Sequence, residues 1–205
     1  LFTRILELHD NSRFNVFAYS LSNTKDIYTE RIKNSVFRFR EVCDLSDHEI
    51  VNIARNDKLD IAIDLNGLTE NNRKCIFDYR AAPIQINYLG YPGTMGSKSF
   101  DYIIADKVLI PEESKRFFTE KVLYLPIGST PNDETKKISN YKFSRDDLGL
   151  PSNGFIFTCF NHTKKITRRE FNIWMNLLRR VDRSFLWLIK PHKEAINNMH
   201  NQLCI

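Results

Sequence analysis

The sequence contains no apolar stretch near the roughly 20 residues that a membrane-spanning helix requires, and no signal peptide is expected from it. Its four cysteines, Cys43, Cys75, Cys159 and Cys204, are scattered, without a C-x-x-C pair. They are expected to stay reduced, three of them packing as small hydrophobes within apolar or helical runs, in a cytoplasmic protein. Zinc-finger spacing, heptad zippers and an aromatic RNA-binding consensus are missing. So are the Asp-x-Asp, H-E-x-x-H and G-x-S-x-G motifs. Membrane insertion, disulfide scaffolding and the best-marked nucleic-acid, metalloprotease and serine-hydrolase classes are thereby set aside.

What is present describes a folded chain. The 205 residues are 42% hydrophobic and 12% aromatic, with 15 Phe, enough for one sizeable core or two small ones. The net charge of +5 comes from 30 basic residues interleaved with 25 acidic ones, the pattern of a solvated mixed-charge surface more than of a nucleic-acid footprint. The chain begins at Leu1 and not at Met, so an internal piece of a longer protein is expected.

Helices and short strands alternate along it. Residues 1–9 place Leu1, Ile5 and Leu8 at helical spacing, and FNVFAYS at 14–20 is strand-like. Helices are predicted at 24–34, 46–55, 71–80 and 168–180, with strands at 36–39, 60–65, 84–89, 101–106, 121–126, 155–160 and 185–190. A last helix runs toward Ile205. This rhythm predicts a mostly parallel α/β sheet covered by helices on both faces. Between Pro126 and Pro151 the pattern lapses into Pro, Asn, Ser, Asp and Gly, which divides the chain into a first lobe (1–126), a linker (127–150) and an unfinished second lobe (151–205).

Two segments carry chemistry. In CFNHTKKITRREF, Cys159 to Phe171, Thr167 and Glu170 have capping-box spacing, which sets a helix start directly after a strand. Phe171, Trp174, Leu178 and Val181 then form its buried stripe. Lys164 and Lys165 precede that start and Arg168 and Arg169 come after it, although a cation at a helix N-terminus opposes the dipole by roughly 0.3–1 kcal/mol. Either an anion sits there, held by free backbone N–H groups and some of these cations, or all four are solvated surface residues. His162 is likewise a ligand contact or an exposed loop residue. The second segment, YLGYPGTMGS at 88–97, holds three of the chain's seven glycines. Its first reading is a phosphate cradle after a strand.

Several runs together resemble the O-linked N-acetylglucosamine transferase and SPINDLY family of glycosyltransferases. They are DLNGLT (64–69), APIQINYLGYPGTMG (82–96), DYIIAD (101–106), EKVLYLP (120–126), CFNHTKKIT, FNIWMNLLRRV and SFLWL, in order over nearly the whole chain. The resemblance implies a glycosyltransferase B-type fold of two Rossmann-like lobes, the second incomplete here, with the nucleotide-sugar donor between them. It implies inverting transfer of N-acetylglucosamine from UDP-N-acetylglucosamine to Ser or Thr of a protein or peptide acceptor, with no metal and no other cofactor. Fucosyl transfer by the same family, or a non-catalytic scaffold role for this piece, are the alternatives.

Mapped by motif, Lys165 falls on the family's essential lysine at the donor diphosphate, with Asn161, His162 and Lys164 beside it in the phosphate loop. Relatives often carry Gln at the position of His162. Thr69, Leu89, Gly90, Tyr91 and Pro92 map to the sugar and acceptor side, and Leu68 sits where relatives carry His or Tyr. With the phosphates assigned to FNHTKKIT, the glycine-rich loop becomes a sugar and acceptor wall, with Gly93 and Gly96 as turn residues.

Overall fold

Short β-branched and aromatic runs form the strands, and every pairing among them is parallel. A computed structural model describes residues 2–190 and 192–203. Two compact units divide at Lys136 and Lys137. In the first, β1 (Phe17–Ser20) pairs with β2 (Arg38–Glu41), and a four-stranded sheet has the order β3 (Ile61–Asp64), β4 (Ile84–Tyr88), β5 (Tyr102–Ala105), β6 (Lys121–Tyr124). In the second, β7 (Phe155–Cys159) lies beside β8 (Ser184–Leu188), in register from Phe155↔Ser184 to Cys159↔Leu188. The helices are α1 (Thr3–Glu7), α2 (Ile27–Ser35), α3 (Asp47–Asn56), α4 (Cys75–Asp78), α5 (Arg168–Arg180) and α6 (Lys193–Leu203). The α/β class with parallel sheets, expected from the sequence, is the class observed.

Local chemistry sets the helix starts. Ser46 caps α3 reciprocally: its Oγ accepts the Glu49 N–H at 3.3 Å, and Glu49 Oε2 accepts the Ser46 N–H at 2.8 Å. Ile50, Val51 and Ala54 of α3 are then buried with Val42, Ile76 and Ala81, against Ala62 of β3. A second cluster of Ile103, Ala105 and Ile110 lies at β5.

Three expectations need correction. The helix predicted at 71–80 is the single turn of α4, because Asn71 (φ +58°) and Arg80 (φ +61°) take left-handed conformations that stop it at both ends. Cys75, at its start, is exposed. In α1 the buried residues are Thr3 and Leu6, while Leu8 is exposed; Leu1 lies outside the described residues, as do Cys204 and Ile205. At Thr167 the helix begins where predicted, but the capping box does not form. The hydroxyl donates to the Glu170 carboxylate instead of accepting a backbone N–H, so the first turn of α5 has no side-chain cap. The predicted stripe is present: Phe171 is buried and Trp174, Leu178 and Val181 are half-buried.

The polar stretch 127–150 is shared between the units. Ser129 donates to Asp106 through N–H (2.8 Å) and Oγ (2.7 Å), and buried Asp133 accepts from Arg31 at 2.9 Å, tying this part to the first unit. Arg145 donates to the carbonyls of Pro151 (3.1 Å) and Gly154 (3.0 Å), tying the later part to the second.

Asp106 anchors the end of β5. Backbone N–H groups of Leu109 and Val108, with Ser129, hold its carboxyl down to about 2, from an ordinary 3.8. A depressed carboxylate stabilises the fold fully above its unfolded value, and that contribution is lost as pH falls through the folded one. Asp106→Asn is therefore expected to flatten the dependence of stability on pH between about 4 and 2, read from urea midpoints across that window. An unchanged pH slope would count against this role.

Candidate functional site

β3 and β4 are adjacent and parallel, so the loops beyond them emerge side by side at their carboxyl ends, where open α/β sheets place ligands. After β3, buried Asp64 turns the chain: its Oδ1 accepts the N–H groups of Asn66 (2.9 Å) and Gly67 (3.1 Å). Thr69 Oγ1 then donates to the Asn66 carbonyl at 3.0 Å or its side-chain oxygen at 2.6 Å.

After β4 the chain makes a three-residue turn closed by Gly90 N–H to the Tyr88 carbonyl at 3.1 Å. Leu89 is at its centre with φ +76°, a strained value for a bulky residue. Asn87, fully buried, secures the next few residues of the loop: its Nδ2 donates to the carbonyls of Tyr91 (3.0 Å) and Gly93 (3.2 Å). Asn87 Oδ1 has no hydrogen-bond partner among the described residues.

The glycines let these loops interlock. A Cβ on Gly90 would fall onto the backbone oxygens of Leu65 and Asn66, and one on Gly67 would meet the Tyr91 side chain. Gly96, by contrast, has open space around it and a φ of +60°, a left-handed conformation that favours glycine. The loop bearing Thr69 and the segment Leu89–Pro92 are thus brought together. Gly90 and Pro92 are exposed, and Thr69, Leu89 and Tyr91 are partly so.

In the second unit the loop after β7 forms one 3-10 turn, Thr163–Lys165, before α5. His162 caps it: Nδ1 accepts the Lys164 N–H at 3.2 Å, so the neutral ring carries its proton on Nε2. The Lys165 N–H donates to the His162 carbonyl at 2.9 Å. Lys164 and Lys165 are exposed, as are Arg168 and Arg169. A cleft of about 320 Å³ opens at the carboxyl ends of β7 and β8, lined by Asn161, His162, Thr163, Ile189, Lys190 and His192. Of the predicted phosphate residues, Asn161 and His162 line it, while Lys164 and Lys165 lie in the adjoining turn. Lys190 and His192 were missed, although cations directly after a strand and before a helix were the signal that marked Lys164 and Lys165.

Charge is divided unevenly. Twelve of the thirty Lys and Arg but only five of the twenty-five Asp and Glu lie in 137–205, which leaves that unit near +7 and the first near −2. All ion pairs among the described residues fall within the first unit. Lys164, Lys165, Arg168, Arg169 and Lys190 are therefore without a carboxylate partner among the described residues and can meet an anion brought from outside. Among the described residues no three His, Cys, Asp or Glu side chains are grouped to hold a metal, and no helix is long and apolar enough to cross a membrane.

A parallel α/β chain with an interlocked loop pair on one unit and a basic cleft on the other matches the model of glycosyl transferase family 41 over residues 1–142 and 129–204. The chain belongs to that family. It is 36% identical over 192 residues to the probable UDP-N-acetylglucosamine–peptide N-acetylglucosaminyltransferase SEC of Arabidopsis thaliana, covering 91% of this chain and 20% of that protein. To the similarly described SPINDLY of the same plant it is 30% identical over 186 residues, covering 87% and 20%. A solved structure of a lysine-to-methionine mutant of the Thermobaculum terrenum O-GlcNAc transferase superposes with a TM-score of 0.83 at 26% identity, over 98% of this chain and 38% of that one. The chain spans about a fifth of the length of these curated relatives.

Proposed function

We propose that the polypeptide carrying this chain transfers N-acetylglucosamine from UDP-N-acetylglucosamine to Ser or Thr hydroxyls of a protein acceptor. Family membership along the chain, together with the unpaired basic edge at β7 and β8, carries this reading. The acceptor oxygen bonds to the anomeric carbon from the face opposite the departing phosphate oxygen, which inverts that centre, releases UDP and gives up the hydroxyl proton to solvent.

Asn161, His162 and Lys164 hold the diphosphate, and the Lys165 ammonium stabilises the charge that grows on it as the glycosidic bond breaks. Fixed donors of this kind act most strongly where negative charge develops. Lysine and backbone N–H groups take the part that a divalent ion plays elsewhere, in keeping with the absence of an Asp-x-Asp motif. Thr69 and Leu89–Pro92 line the sugar and acceptor side, where the interlocked loops give a rigid wall. Four scattered cysteines without close pairing suit a reducing, cytoplasmic setting. The test is the mass of the sugar added to an acceptor protein when UDP-N-acetylglucosamine is supplied.

A further inference from the structure

We infer that Lys190 and His192 form a second wall of the phosphate site, reaching from the end of β8 toward a diphosphate held by Asn161 and His162 at the end of β7. This rests on the donor reading above and extends it to residues that the FNHTKKIT motif does not contain.

The cleft itself is the first observation. At about 320 Å³ it is within the size range of small-molecule sites, and no carboxylate lines it. Its lining residues carry an amide, a hydroxyl, two imidazoles and an ammonium, and follow the ends of two neighbouring parallel strands. His162 contributes Nε2–H, since its Nδ1 is occupied by the Lys164 N–H. Such a set offers several donors spread over two sides and suits an anion with many oxygens. A second cavity of this unit, about 240 Å³ between α5 and the strands, is lined by residues such as Trp174 and Leu186 and by no charged group.

The second observation is that the charge anomaly recurs. α6 begins directly after His192, whose carbonyl accepts the Ile196 N–H at 3.1 Å. Lys190 and Lys193 flank that start, as Lys164, Lys165, Arg168 and Arg169 flank the start of α5. Two helix starts on adjacent strands thus carry cations where the dipole disfavours them, and the cleft lies where both strands end. Among the described residues Lys190 makes no ion pair that would account for it.

The test is titration of the 205-residue chain with inorganic pyrophosphate and with UDP, monitored by amide and imidazole NMR shifts. Lys190→Ala and His192→Ala are each expected to weaken both ligands about tenfold, the loss of one hydrogen bond to a charged group. Lys190→Arg should keep most of the affinity, and Arg180→Ala, at the far end of α5, all of it. Dispersed amide spectra confirm that each variant is folded. Wild-type affinity in Lys190→Ala and His192→Ala, with weakened binding in Lys165→Ala, overturns this inference and leaves the donor reading standing. No shift with either ligand in the unaltered chain likewise overturns this inference.

Discussion

Lys165→Ala, in the polypeptide carrying this chain, is expected to lower sugar transfer on the order of 10²–10³-fold, the typical cost of removing one preorganised charge-stabilising group. The loss should fall mainly on kcat. Charge on the leaving diphosphate grows as the glycosidic bond breaks, so the ammonium binds the transition state more strongly than the ground state. Folding should be nearly untouched, with a change within about 0.5 kcal/mol, because the side chain is exposed and has no ion-pair partner among the described residues. The turn around it is held by the backbone and by His162, not by the lysine side chain. Steady-state rates set beside urea unfolding separate the two effects. An undiminished rate would remove Lys165 from the reaction.

Gln85→Leu is expected to produce the largest loss of stability, on the order of 2–4 kcal/mol out of the 5–15 typical of a domain. Gln85 is fully buried in β4. Its Oε1 accepts the Ala81 N–H at 2.8 Å, and its Nε2 donates to the carbonyls of Phe77 (2.8 Å) and Ser99 (2.6 Å). Leucine fills similar space but leaves the Ala81 N–H buried without a partner. The two carbonyls retain bonds from the Arg80 N–H (2.9 Å) and guanidinium (3.2 Å), which keeps the expected loss below the full cost of three orphaned groups. Urea unfolding should show a lower midpoint at unchanged slope. A midpoint equal to that of the unaltered chain would mean that the staple is dispensable.

The strands were legible because buried parallel strands are written as short apolar runs, and each predicted run overlaps a strand of the structure. The helix starts were legible where Ser46 and Thr167 precede apolar periodicity. How each cap is made was less so: the Thr-x-x-Glu spacing at 167–170 does not say whether the hydroxyl meets a backbone N–H or the glutamate itself. The length of α4 was missed because only the left-handed backbone at Asn71 and Arg80 shows where the helix stops.

For the site, the density of glycine at 90–96 marked an unusual loop but not its use. That Gly90 abuts Leu65 and Asn66 is evident only once β3 and β4 are known to be neighbours. Gln85 and Asn87 left a trace that could have been read: two polar residues at alternate positions in IQINY interrupt what a central parallel strand would otherwise keep apolar. Each proves to staple a loop. Charge partition was hidden inside the net +5, because the surplus emerges only after the chain is divided. Lys190 and His192 are hard to single out because KPHK at 190–193 lies outside the resembling motifs, although it repeats the placement of charge seen at Lys164 and Lys165.

The central claim is that the polypeptide carrying this chain is a protein N-acetylglucosaminyltransferase. Mass spectrometry of an acceptor protein incubated with it and, separately, UDP-N-acetylglucosamine or GDP-fucose tests this most directly. The account predicts a Ser- or Thr-linked N-acetylhexosamine with the first donor only. Fucose from the second donor, or an unmodified acceptor with both, would contradict it.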